Sequence, residues 1–390
     1  MLQTQAPQGQ RVQEQVLTNV RLVLADQVVL GSIALSKGRI SQISDRGSQL
    51  AHAQDCQGDW LLPGLIEMHT DNIEKHLQPR PKVFWPDTRA AYLSHDWQMA
   101  SAGITTVYDA LGLGEYNKAS GRRELLARAV DAISDPDNRQ HSRVEHLLHL
   151  RCELADEMVC DFFDQVANNP YVHLLSLMDH TPGQRQWHDL EKYATFHRDK
   201  GWDAQQLADN VAMRTELQQR YSESNRQYLV QQAQQRRLVI ASHDDTTLEH
   251  VHQAKSEGAS ISEFPTTLLA AQEARRLGMA NVMGAPNLLR GQSHSGNVSA
   301  LQLAQEGLLD ILSSDYAPAG LLQAVFRLHQ LEVCSLPDAV ALVTSRVAQA
   351  LSLDDRGELR PGMRADLVRV TKVLQTPVVR QVWSRGQQVI

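Results

Sequence analysis

No run of about eighteen apolar residues occurs in this 390-residue sequence, so no helix is expected to cross a membrane. The N-terminal Met-Leu-Gln-Thr-Gln-Ala-Pro-Gln-Gly-Gln lacks a basic region followed by an apolar core, so export is not expected and a cytoplasmic location is. Cysteine is scarce: Cys56, Cys152, Cys160 and Cys334 show no Cys-x-x-Cys spacing, and reduced thiols are expected rather than disulfides. Glycine-rich phosphate cradles are missing too, as neither Gly-x-Gly-x-x-Gly nor Gly-x-x-x-x-Gly-Lys-Ser/Thr is present. If phosphates bind, something else holds them. Nor is there an excess of positive charge. The formal net charge of −7 argues against a broad nucleic-acid surface, yet local cations in a cleft can still hold a small polyanion.

What is present is ordinary enzyme composition, 42% hydrophobic and 21% charged, on a chain long enough for one large domain and a small one. The stretch that organises it is Leu61-Leu-Pro-Gly-Leu-Ile-Glu-Met-His-Thr-Asp71, an apolar run that stops in His69 and Asp71. In an extended strand, positions two apart share a face, so this imidazole and carboxylate can aim at one point. The pattern recurs downstream. Mostly apolar runs end at Glu153, His180, His243 and Asp315, each a hard or borderline metal ligand.

Short strands split by turn residues fill Val16 to Trp60, and similar segments close the chain from Gly357 to Ile390. A composite β unit from residues 1–62 and 352–390 is therefore expected. Between them, at 63–351, apolar strands alternate with amphipathic helices, which favours a parallel sheet with crossover helices. Candidate strands are 64–71, 104–110, 145–153, 172–180, 238–245, 260–265, 281–286 and 309–315. Eight such strands close a (β/α)8 barrel of the TIM type, whose C-terminal strand ends carry the chemistry. Residues 183–237 read as a long helical insertion, solvated, with a lid over the strand ends as the sharper alternative.

His69, Asp71, Glu153, His180, His243 and Asp315 make a mixed nitrogen and oxygen set suited to Zn, with Mn, Fe or Ni as alternatives. Six ligands exceed one tetrahedral site. Two divalent ions sharing Glu153 and a bridging hydroxide would use them economically.

The His-x-Asp after a Pro-Gly-Leu-Ile strand, the Ser-Ser-Asp-Tyr-Ala-Pro segment and the closing Pro-Gly-Met-Arg-Ala-Asp-Leu-Val are similar to the amidohydrolase superfamily across essentially the whole chain. More narrowly, the segment from Leu61 through His76 with Pro79-Arg-Pro-Lys-Val, Gly103-Ile-Thr-Thr-Val-Tyr-Asp-Ala, Met178-Asp-His-Thr-Pro-Gly-Gln-Arg-Gln and Gly284 through Asn297 resembles the PhnM family, diphosphatases of the carbon–phosphorus lyase pathway. The resemblance implies a metal-bearing barrel with a terminal β-sandwich, and hydrolysis of α-D-ribose 1-methylphosphonate 5-triphosphate to the 5-phosphate and pyrophosphate. It also implies Glu153 as the bridge and Asp315 as both ligand and catalytic base. Asp71 departs from the superfamily's usual second histidine, and Glu153 stands where a carboxylated lysine is commoner. The bridge usually lies on the fourth strand, so a strand between Glu115 and Arg143, with 281–286 then a loop, is a second possible count.

A polyphosphate needs an in-line nucleophile and cations to absorb phosphoryl charge. Lys75, His76, Arg80, Lys82, Arg290 and His294, with Asn297 in the same Gly/Ser/Asn loop, are the expected substrate contacts. The partner expected is thus a small ribose triphosphate phosphonate, with no nucleic acid or membrane, and a homo-oligomer is left open. Two other readings are weighed: the same metals acting on a cyclic amide or deaminating a base, and a barrel without metals serving as a scaffold.

Overall fold

The computed structural model describes residues 14–114, 121–187, 189–196, 201–291 and 297–390. Eight parallel strands run in sequence order as Leu65–Thr70, Ile104–Leu113, Glu145–Glu153, Val172–Met178, Val239–His243, Ile261–Glu263, Ala280–Gly284 and Ile311–Ser313. They read as near-continuous apolar runs because both faces are covered, and in the second strand every residue is buried. Each of the eight sends at least one side chain to a shared interior core: Ile66 and Met68, Tyr108, Leu147, Leu174, Ala241, Ile261, Val282 and Ile311. The barrel is therefore filled below its C-terminal mouth, and the polar chemistry is confined to the rim.

The first and eighth strands meet without a continuous ladder. A single bridge pairs Thr70 with Asp315. The Asp315 amide donates to the His69 carbonyl at 3.1 Å, and Thr70 Oγ1 donates to the Asp315 carbonyl at 2.7 Å. Buried Glu67 braces the same seam, accepting from the amides of His69 and Ser314, both at 2.6 Å. Burial pushes its carboxyl up to about 8.

All eight expected barrel strands are present. The interval from Arg122 to His141 is helical, as Arg122–Ser134 and Pro136–His141, and Ala280–Gly284 is a strand. The alternative strand count is thereby corrected, and Glu153 ends the third strand.

The chain termini build the second sheet. Strands Gln15–Val23, Val28–Ser36, Arg39–Ser44 and Trp60–Pro63 join Leu367–Val373, Thr376–Ser384 and Gln387–Gln388, largely antiparallel, and Leu367 pairs with Pro63 to link the halves. Leu17, Leu22, Ile33, Leu61, Leu367 and Trp383 form its core. Gly64 carries the chain from this sheet into the barrel, and a Cβ there would lie 2.2 Å from Thr105 Oγ1. The insertion is helical as expected, with Leu190–Phe196 and the 33-residue Ala204–Arg236. The long helix starts at a capping box between Asp203 and Gln206 and buries Leu229, Val230 and Ala233 near its far end. All four cysteines are free, and no described helix is long and apolar enough to cross a membrane.

Candidate active site

A cavity of about 190 Å³ opens at the C-terminal mouth of the barrel, lined by His69, Arg151, His180, His243, Asp244 and Asp315, with Gln186, Arg290, Asn297 and Tyr316 among others. His69, His180 and His243, drawn from three separate segments, stand in a row: ring centroids are 5.7 Å apart both for His69–His243 and for His180–His243.

Each imidazole is held by a carboxylate. His69 Nδ1 lies 2.9 Å from Glu263 Oε1, His243 Nδ1 lies 2.8 Å from Asp244 Oδ2, and His180 Nδ1 lies 2.6 Å from Glu153 Oε2. A carboxylate on Nδ1 fixes ring orientation and tautomer and leaves Nε2 as the ligating atom, the usual support of a metal-binding histidine. His243 Nε2 is buried with no hydrogen-bond partner among the described residues. A buried ring nitrogen left without a bond is costly unless something else fills its valence.

The electrostatics agree. Burial opposes the charged form of His180, but Glu153 and Asp244 outweigh it and hold the imidazole up at about 9. Burial likewise opposes charge on Asp244 and Glu263, yet His243 and His180 around the one, and His69 and His149 around the other, hold both carboxyls well below the ordinary range. Donor atoms of His180, His243 and Asp244 lie within 4.8 Å of one another, so this set fits a divalent cation; His69, His149 and Glu263 are as close, but both His149 nitrogens are already bonded, to the Met68 carbonyl and to Ser176.

Local backbone aims these groups. Asp244, Phe264 and Asp315, each just past a barrel strand, take left-handed φ values of 58°, 54° and 53°. That conformation is uncommon for residues with a side chain and clusters where geometry is imposed by function.

Of the expected ligands, His69, His180, His243 and Asp315 reach one cavity, and Glu153 touches it through His180. Asp71 does not line it. The strand ends at Thr70, so alternation no longer governs Asp71, which starts the short helix Asn72–Leu77 and pairs with Lys75 at 3.2 Å. Among the expected substrate contacts, Arg290 and Asn297 line the cavity. Lys75 donates to the Tyr316 carbonyl, His76 bonds Gln98 at 2.8 Å, and Arg80 and Lys82 are exposed outside the lining. His294 lies outside the described residues.

Sequence reasoning missed Asp244, Glu263, His149 and Arg151. Glu263 obeys the rule that found the others, an apolar strand ending in a ligand, but its strand Ile261–Glu263 is only three residues long. His149 and Arg151 sit at period two from Glu153, hence on one face of their strand. Period two was the signal for both.

Residues 96–390 match the Amidohydrolase family. The chain belongs to it. Among the relatives of this amidohydrolase, the α-D-ribose 1-methylphosphonate 5-triphosphate diphosphatase of Escherichia coli is 45% identical over 377 residues, 96% of this chain and 100% of that protein. A dihydroorotase of Methanopyrus kandleri is 33% identical over 117 residues, 26% of each chain. Solved structures share the fold: N-isopropylammelide isopropylaminohydrolase of Burkholderia multivorans superposes with a TM-score of 0.62 at 18% identity, covering 96% of this chain and 98% of that one. N-acetylglucosamine-6-phosphate deacetylase of Pasteurella multocida gives 0.58 at 13%, covering 96% and 99%.

Proposed function

We propose that this amidohydrolase hydrolyses α-D-ribose 1-methylphosphonate 5-triphosphate to the 5-phosphate and pyrophosphate. The observation that carries the reading is the 45% identity extending through 96% of this chain and the whole of the Escherichia coli diphosphatase. Two divalent cations, zinc first among the candidates, would be held by His69, His180 and His243 with Glu153 and Asp315. Bound there, they supply Lewis-acid neutralisation of phosphoryl charge and lower the pKa of water.

The chain's own groups do the rest. Asp315, fixed by its bonds to His69 and Thr70, takes the proton of the attacking water and later returns one to the leaving side. Asp244 and Glu263 keep His243 and His69 in one tautomer. Arg290 and Asn297 line the cavity where phosphoryl oxygens would lie, and fixed donors of this kind stabilise developing charge. Asp71, just past the first barrel strand, pairs with Lys75 and would orient that cation.

The test is pyrophosphate release by the purified protein from the ribose triphosphate phosphonate, with nucleoside triphosphates and cyclic imides in parallel. Preference for the phosphonate by kcat/KM supports the reading. Turnover of a cyclic imide without pyrophosphate release would replace it with amide hydrolysis.

A further inference from the structure

We infer that Arg151 is a second anion anchor of this cavity, facing Arg290, so that the pocket grips its substrate at two anionic ends. This rests on the phosphoanhydride reading above and deepens it.

Arg151 lies in the third barrel strand, Glu145–Glu153. Leu147 of that strand belongs to the interior core while Leu148, Leu150 and Cys152 belong to the outer one, so 147, 149, 151 and 153 face inward. Arg151 is accordingly an interior residue near the mouth, two positions from Glu153, and it lines the cavity. A charge is rarely placed on that face of a barrel strand without a partner. Yet its Nε is buried with no hydrogen bond among the described residues. Glu74 is near enough for its carboxyl to be stabilised by Arg122 and Arg151 against the upward push of burial, but no ion pair joins Glu74 to Arg151 among the described residues.

Arg290 approaches from the other side. It ends the helix Ala285–Arg290, which follows the seventh strand directly. In a ring of eight, the third and seventh strands are opposite one another. The imidazoles of His69, His180 and His243, with Asp315, line the same cavity as the two arginines. A guanidinium is a planar fork of donors matched to tetrahedral oxyanions, and Arg151 brings such a fork to the cavity it lines. The ligand chemistry is a phosphoryl or phosphonyl group, which the proposed substrate carries at both ends, with the scissile anhydride between them.

The test compares wild type with Arg151→Met and Arg151→Lys, all metal-loaded, with metal content and thermal unfolding checked for each. Inhibition is measured with inorganic pyrophosphate and, separately, with methylphosphonate, alongside KM for the ribose triphosphate. Loss of a charged hydrogen bond to a phosphoryl group weakens binding by roughly 10- to 100-fold. The expected result is a rise of that size in KM and in the inhibition constant of one of the two anions, with metal content unchanged and partial recovery in Arg151→Lys. The anion affected tells which end Arg151 holds. Unchanged KM and inhibition constants in Arg151→Met, or a lowered unfolding temperature with binding intact, would overturn the assignment and leave Arg151 as the electrostatic partner of Glu74. Wild type that releases no pyrophosphate and is not inhibited by it refutes the functional reading instead, so the two failures are distinct.

Discussion

Two clusters in this molecule have the same composition, two histidines and an aspartate with donor atoms within 4.8 Å, and opposite character. One is His180, His243 and Asp244 at the mouth of the barrel. The other is His95, Asp109 and His146, buried under the helix Thr88–Ser101 on the outside of the second and third strands. In the outer cluster every ring nitrogen is used: His95 Nε2 on Asp109 at 2.6 Å, His95 Nδ1 with the Asn72 amide at 3.0 Å, His146 Nδ1 on Asp109 at 2.7 Å and His146 Nε2 toward Asp96 at 3.4 Å. In the mouth cluster His243 Nε2 has no such partner among the described residues. Leftover valence, not residue type, separates a site built to take a cation from a network that fastens a helix to a sheet.

The sharpest way to break that contrast is to remove one histidine from each. His243→Ala should fall to background activity with its metal lost and its fold kept, whereas His146→Gln should keep metal and turnover at low temperature and lose stability. Metal counting and thermal unfolding on both proteins check this, and metal lost from His146→Gln would show that the outer cluster also ligates. Next in size, Asp315→Asn should retain its metal while turnover drops by at least about a hundredfold, the scale of a lost proton acceptor. If its inactivity follows metal loss instead, Asp315 acts as a ligand alone.

Glu153 and Asp244 sharpen the comparison within the mouth. Asp244→Asn removes an orienting carboxylate and should weaken metal affinity by roughly 10- to 100-fold. Glu153→Ala should abolish two-metal loading if it is the bridge, and should resemble Asp244→Asn if it only orients His180; titration with metal distinguishes them. In either case loading should be indifferent to bicarbonate, because glutamate already carries two oxygens.

The smallest effect is a pH dependence of stability in the outer cluster. Burial works against the His146 imidazolium, but Asp109 and Asp96 raise it from 6.5 to about 9, so its contribution is full below about 6.5 and fades as pH rises through 9. Asp109 is held down from 3.8 to about 2, against burial, by His95 and His146, so its contribution is present above 3.8 and is lost as pH falls through 2. The difference in unfolding temperature between wild type and His146→Gln, measured with chelator present, should be widest between these limits and narrow above pH 9. A difference that is flat to pH 10 would refute the ion pair.

The barrel was legible because its strands are buried on both faces and so read as unbroken apolar runs, several of them closed at or just past the end by a polar residue that the strand delivers to the rim. The positions of His69, His180, His243 and Asp315 followed from that one regularity. What escaped is physical in origin. Asp71 lies one residue past the last extended position, so period two mispointed it toward His69 instead of Lys75. Asp244 is adjacent to a ligand, and only a left-handed turn, invisible to strand periodicity, folds it back against the His243 ring. Arg151 lies two residues short of its strand end, so a rule that looks only at strand ends passes it by.

The seam between the first and eighth strands has a kinetic consequence. Thr70 and Asp315 are separated by 245 positions, and their pairing, with Glu67 clasping both edges, is what turns an open sheet into a ring. Closing so long a loop is entropically the least favourable contact of the barrel and forms after the sequential neighbours have paired. The last contact of folding therefore sets the backbone of Asp315. During refolding, helix and strand signals should recover before turnover does, and a partly opened barrel would be inert toward its substrate even with most of its structure in place.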